Sequence, residues 1–270
     1  MSTEEHNEHT LFLGTPRGRG RLVSLEPRRR AANRLEEHLV SLLAPHSADA
    51  ERYRMLRHDV ETLRKNDNLQ VLAVTSPLAG DGKTTTAINL AASLAQATAA
   101  RVLLADVDLR RPAVARQVGL DGSRHSLVDA LVGPGLTLED MVEQLPQFNL
   151  SVLQAGEATG TTYELLKSSR LKELVDEARR RYDYIVLDTP PFVPVPDGRL
   201  ITKCADGVLV VLAANRTPRG ALGEAVSLID PAKIAGFVFN GDDSPTSSSY
   251  YGGYVESAPQ PRWRRLWRSS

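Results

Sequence analysis

Residues Thr75 to Thr86 constrain this chain more than any other stretch. They read Thr75-Ser76-Pro77-Leu78-Ala79-Gly80-Asp81-Gly82-Lys83-Thr84-Thr85-Thr86. An apolar run, Leu69 to Val74, precedes them and reads as a buried strand. An Ala/Leu-rich run, Ala87 to Ala97, follows and reads as a helix. A strand, a Gly-rich loop ending in Gly-Lys-Thr and a helix form the phosphate-binding P-loop arrangement. Loop N–H groups and the positive end of the helix dipole hold phosphates there. Lys83 is expected to reach the β- and γ-phosphates, and the Thr84 hydroxyl to ligate Mg²⁺. Gly80, Asp81, Gly82, Lys83, Thr84 and Thr85 are the candidate nucleotide contacts. One position departs from the full pattern: Pro77 stands where the first Gly belongs.

The rest of the core alternates strands and helices. Strands are expected at Leu69–Thr75, Arg101–Asp106, Leu150–Gln154, Tyr184–Asp188, Gly207–Ala213 and Ile234–Asn240. Helices are expected at Ala48–Leu63, Thr84–Ala97, Leu127–Leu131, Thr162–Arg181 (with room for a break) and Gly220–Leu228. Strands this apolar, separated by helices, imply an α/β fold of the P-loop NTPase type. Its mostly parallel sheet is covered by helices on both faces. Ligands bind such sheets at the carboxyl ends of the strands.

Two such ends carry carboxylates. Asp106 and Asp108 follow the strand Arg101–Asp106; two apart, they point the same way if the chain stays extended. Hard carboxylate oxygens suit Mg²⁺. Asp188 ends the strand Tyr184–Asp188, the Walker B position, where a carboxylate binds Mg²⁺ directly or through water. Thr84, Asp106 and Asp188 are therefore the candidate metal ligands. Lys83, Asp106, Asp108 and Asp188 are the candidate catalytic groups. Either Asp106 or Asp108 could accept a proton, and Arg110 either balances charge at the site or pairs with a neighbouring carboxylate.

The 270 residues divide into an Arg-rich arm expected to be flexible (1–47), one domain (48–240) and a polar tail (241–270). The 33 basic and 33 acidic residues cancel, so no nucleic acid partner is expected. The lone cysteine, Cys204, cannot form an internal disulfide, which suits a reducing cytoplasm. No apolar run is long enough to span a bilayer, and the first residues lack the layout of a signal peptide.

The combination of Gly-Asp-Gly-Lys-Thr-Thr, then Asp106-Val107-Asp108-Leu109-Arg110-Arg111-Pro112, then Asp188-Thr189-Pro190-Pro191 resembles the bacterial tyrosine kinases, autokinases of exopolysaccharide and capsule synthesis. The resemblance runs from about Asp49 to Asn240 and includes three tail tyrosines. It implies ATP and Mg²⁺ as cofactors and a P-loop that tolerates Pro77. Glu51, Arg54 and Arg57 match the family's Glu-x-x-Arg-x-x-Arg motif, which implies contacts between copies in a ring. Read locally, the same residues make an exposed helix with a Glu–Arg pair at i, i+3. Asn240 matches an adenine-contacting position in related ATPases; read locally, it is a strand-end turn residue.

Tyr250, Tyr251 and Tyr254 are three of the seven tyrosines and fall among Ser and Gly. They resemble the family's autophosphorylated cluster. The family also implies phosphorylation between copies and a separate membrane-anchored activator. A cytoplasmic enzyme recruited to the inner face of the plasma membrane is the location implied. Two other readings compete. A partition or positioning ATPase shares the fold but usually carries a second P-loop lysine, where this chain has Leu78. Its C-terminal membrane segment would correspond to Arg262-Trp263-Arg264-Arg265-Leu266-Trp267-Arg268, since Trp with Arg suits a lipid interface. A regulatory subunit that binds nucleotide without phosphorylating is the third.

Overall fold

Strand β1 (Val71–Thr75) is buried at every residue and sits near the middle of a seven-stranded sheet of order β3-β4-β2-β5-β1-β6-β7. The other strands are β2 (Val102–Asp106), β3 (Val142–Leu145), β4 (Leu150–Leu153), β5 (Tyr184–Asp188), β6 (Gly207–Ala213) and β7 (Ile234–Asn240). The computed structural model describes residues 35–241, apart from the single residues 98, 123, 134 and 159. The tail tyrosines 250, 251 and 254, the segment 262–268 and residues 1–34 lie outside the described residues.

The helices are α1 (Val40–Leu43), α2 (Ala48–Asp67), α3 (Lys83–Ala95), α4 (Val114–Gln117), α5 (Leu127–Val132), α6 (Leu138–Met141), α7 (Thr162–Lys167), α8 (Ser169–Arg181), α9 (Asp197–Ile201) and α10 (Arg219–Ser227). They form two layers. Alternate residues of a strand point to opposite faces. Thus Leu72, Val74, Leu104 and Val186 pack with Val60 of α2 and Ile88 and Leu94 of α3. Val71, Ala73, Leu103 and Ile185 pack with Leu127, Leu171, Leu174 and Ile201 on the other face. The α/β architecture read from the sequence, mostly parallel and covered on both faces, is the one observed. The expected break in the helix after Thr162 falls at Ser168.

Several features differ from the sequence reading: the short helices α4, α6 and α9 have too few residues to show a helical period. β3 was not expected. Its Val-Glu-Gln-Leu alternates too briefly to read, and it is placed by a tight antiparallel return onto β4, with Val142 opposite Leu153 and Leu145 opposite Leu150. Residues 35–47, assigned to the flexible arm, pack on the domain instead. Leu39 and Leu42 are buried, and Asn89 of α3 accepts the Ser41 N–H and donates to the His38 carbonyl. The Ser47 side chain then caps α2 by accepting the Ala50 N–H at 3.1 Å. Among the described residues no helix is long and apolar enough to cross a membrane.

Candidate nucleotide site

The strand order itself assembles the site. β2, β5 and β1 are neighbours, and their register sets Asp106 opposite Asp188 and Val74 opposite Asp188. The ends of three parallel strands therefore bring both carboxylates beside the P-loop that leaves β1.

The loop is braced from within. Gly82 caps α3 with φ +97°, a left-handed conformation that glycine adopts freely. A Cβ there would lie 1.8 Å from the Asn240 side-chain nitrogen, so any other residue would displace that side chain. That nitrogen donates to the Asp81 carbonyl at 3.1 Å. Asp81 accepts from the Leu78 N–H at 3.0 Å and from the Thr217 hydroxyl at 2.9 Å. Both Asp81 oxygens are thus spent shaping the loop. Asn240, the candidate adenine contact, is joined to the backbone of the P-loop.

Lys83 begins α3 and points into a cluster of acids. Its Nζ lies 2.9 Å from Asp108 Oδ2, 3.5 Å from Asp188 Oδ1 and 3.3 Å from the Thr84 hydroxyl. Burial opposes the lysine charge, but Asp188 and Asp108 overcome it and hold the pKa above its ordinary value. The Thr84 hydroxyl donates to Asp188 Oδ2 at 2.7 Å, while buried Asp188 Oδ1 accepts no hydrogen bond. A hydroxyl beside a buried carboxylate with a spare oxygen is a hard-oxygen donor set, and it fits Mg²⁺.

Asp106 and Asp108 do not behave as a matched pair. The extended chain ends at Asp106, which accepts the N–H groups of Asp108, Ala113 and Val114 at 3.1, 2.9 and 3.0 Å. It is fully buried and organises the turn after β2. Asp108 instead walls a cavity of about 690 Å³, together with Gly80, Gly82, Thr85, Arg110 and Arg111.

Arg110 settles on the second alternative left open by the sequence. It makes a two-pronged pair with Asp197 of α9, at 2.8 and 3.0 Å, and Thr162 of α7 donates to the same carboxylate at 3.0 Å. Asp197 is 1% exposed and 87 residues away, so no local pattern could mark it. Thr217 escaped the sequence reading for the same reason.

The motif on α2 finds partners within the chain. Arg54 pairs with Glu51 and donates to the Pro45 carbonyl. Arg57 pairs with Glu61 at 2.7 Å and donates to the Ser93 carbonyl at 3.0 Å. The Glu–Arg pair of the local reading is present.

Burial raises the Asp106 pKa to about 7 and that of Asp188 to about 6, against an ordinary 3.8. Between about pH 4 and 7 the folded chain then holds more protons than the unfolded one. Stability contributed by these groups is full below that window and falls as pH rises through it. Asp183, held low by Arg101, acts only below the window. Thermal unfolding from pH 4 to 8 should show a falling midpoint, and Asp188→Asn should flatten its slope. An equal slope in that variant would remove the assignment.

A P-loop nucleotide-binding domain is the class that this fold and site define. Residues 69–230 match the AAA domain family. The chain is 31% identical over 225 residues to the tyrosine-protein kinase YwqD of Bacillus subtilis (strain 168), covering 83% of this chain and 94% of that protein. It superposes on the crystal structure of the VpsO kinase domain with TM-score 0.61 and 37% identity, covering 72% of this chain and 98% of that one. It is also 30% identical over 218 residues to the succinoglycan biosynthesis transport protein ExoP of Rhizobium meliloti (strain 1021), covering 77% of this chain and 27% of that protein. The chain belongs to the bacterial tyrosine kinase family.

Proposed function

We propose that this protein is an ATP-dependent tyrosine autokinase whose acceptors are Tyr250, Tyr251 and Tyr254. The observation that carries the reading is the convergence of Lys83, Thr84 and Asp108 on one P-loop cavity, with the buried Asp188 held directly behind Lys83 and Thr84. Family membership supplies the reaction class. Loop amides and Lys83 hold the β- and γ-phosphates, and Arg110 stands at the cavity wall. Thr84 and Asp188 would hold Mg²⁺, which would supply neutralisation of charge on the transferred phosphate. The tyrosine oxygen forms a bond to the γ-phosphorus as the bond to ADP breaks. A phenol has a pKa of about 10, so its proton needs an acceptor. Asp108 suits that role better than Asp106, whose oxygens are committed to backbone N–H groups. Lys83 drawn to a phosphate would release Asp108 Oδ2 for it.

The tail enters the site of a neighbouring copy, and Glu51, Arg54 and Arg57 contribute to the contact between copies. Phosphates on the tail add negative charge and weaken that assembly. The similarity to ExoP, a transport protein much longer than the matched region, supports a role in polysaccharide export. A separate membrane-anchored activator is the partner that the family resemblance implies.

Incubating the protein with Mg-ATP and weighing its C-terminal peptide tests the reading. Phosphate should appear on Tyr250, Tyr251 or Tyr254 and be absent after all three are changed to Phe. Steady ATP hydrolysis with an unmodified tail, even with candidate activator tails added, would instead indicate a positioning ATPase.

A further inference from the structure

We propose that the segment Arg262 to Arg268 docks back onto its own domain, in the groove between α2 and the free edge of β7. The groove encloses about 820 Å³, and its lining combines carboxylates of Glu37, Asp49 and Asp59 with the apolar surfaces of Met55, Phe237 and Phe239. Phe239 is 67% exposed and Met55 45%, which is much apolar surface to leave in water. Arg52, also in the lining, lies 3.9 Å from Asp49. Among the described residues no ion pair joins Glu37 or Asp59 to a basic group.

The segment has the complementary chemistry. Trp263, Leu266 and Trp267 are spaced i, i+3 and i+4, so one turn of helix would present them together, with Arg262, Arg264, Arg265 and Arg268 around them. Arginine over carboxylate with tryptophan over phenylalanine matches the groove in both charge and polarity. Position favours this occupant over any other. Gly241, where the described chain stops, itself lines the groove. Twenty residues, 242–261, connect it to the segment. At up to about 3.3 Å each they reach any part of the groove, at an effective concentration on the order of mM. This inference does not depend on the kinase reading.

Both tryptophans of the chain lie in the segment, so tryptophan emission, excited to the red of tyrosine absorption, reports on it alone. In lipid-free buffer the full chain should emit to the blue of a free peptide of residues 258–270. It should also resist acrylamide quenching, equally across a dilution series. Glu37→Lys with Asp59→Lys, or Phe239→Ser, should return the emission to that of the peptide. All three positions are exposed, and circular dichroism would confirm the fold. Adding Arg264→Glu and Arg265→Glu to the lysine pair should restore the shift. Emission equal to the peptide's until anionic phosphatidylserine vesicles are added would overturn the proposal in favour of a membrane segment. A shift lost on dilution would give the groove to a second copy. A shift indifferent to the groove variants would place the segment elsewhere.

Discussion

Lys83→Met removes phosphate from the tail peptide, with a loss on the order of 10²–10³-fold or more expected from deleting a preorganised positive group at the transferred phosphate. Methionine keeps most of the length and loses the charge. The same change acts on stability, because Lys83 is the cation between Asp108 and Asp188. Removing one partner of a buried pair costs about 3–5 kcal/mol when the other stays ionised. Here Asp188, whose pKa burial already raises, can take up a proton instead. The deficit in the thermal midpoint should therefore be largest at pH 8 and shrink toward pH 5. A deficit that does not change with pH would mean that Lys83 does not compensate these carboxylates.

Arg110→Ala should destabilise the fold more than Asp197→Asn. The two members of the pair sit in different surroundings: the Arg110 side chain is 40% exposed and that of Asp197 only 1%. Losing Asp197 returns a half-exposed guanidinium to water at little cost. Losing Arg110 strands a buried carboxylate with Thr162 as its remaining side-chain donor. An unsatisfied buried group costs about 1–3 kcal/mol, and more when charged. Urea unfolding of the two variants and the double variant measures the difference. Equal costs, or additive ones, would show that the pair is not coupled as described. Both variants should also slow tail phosphorylation, since the pair fixes a wall of the nucleotide cavity.

The parts of this site that were legible in the sequence are the ones made locally. Gly82, Lys83 and Thr84 occur in one turn, and Asp106 and Asp188 each end an apolar strand, so a linear reading finds them. The parallel sheet follows because continuous apolar runs must be buried on both faces. What escaped depends on chain folding. Asp197 meets Arg110 from another element, and Thr217 meets Asp81 across 136 residues. The apolar positions Leu35, Leu39 and Leu42 did recur at near-helical spacing, but the arginines before them dominated the reading. The burial of Leu39 corrects it. Likewise, β3 has too few residues to show a period, and pairing with β4 defines it.

Mixing two variants tests the central claim most directly. One carries Lys83→Met and an intact tail; the other keeps Lys83 but has Phe at 250, 251 and 254. Neither can modify itself, so after incubation with Mg-ATP phosphate is expected on the tail of the Lys83→Met chain, increasing with the amount of the other. A tail that stays unmodified in this mixture while the unaltered protein gains phosphate would contradict transfer between copies, and no phosphate in either sample, with candidate activator tails added, would contradict the kinase itself.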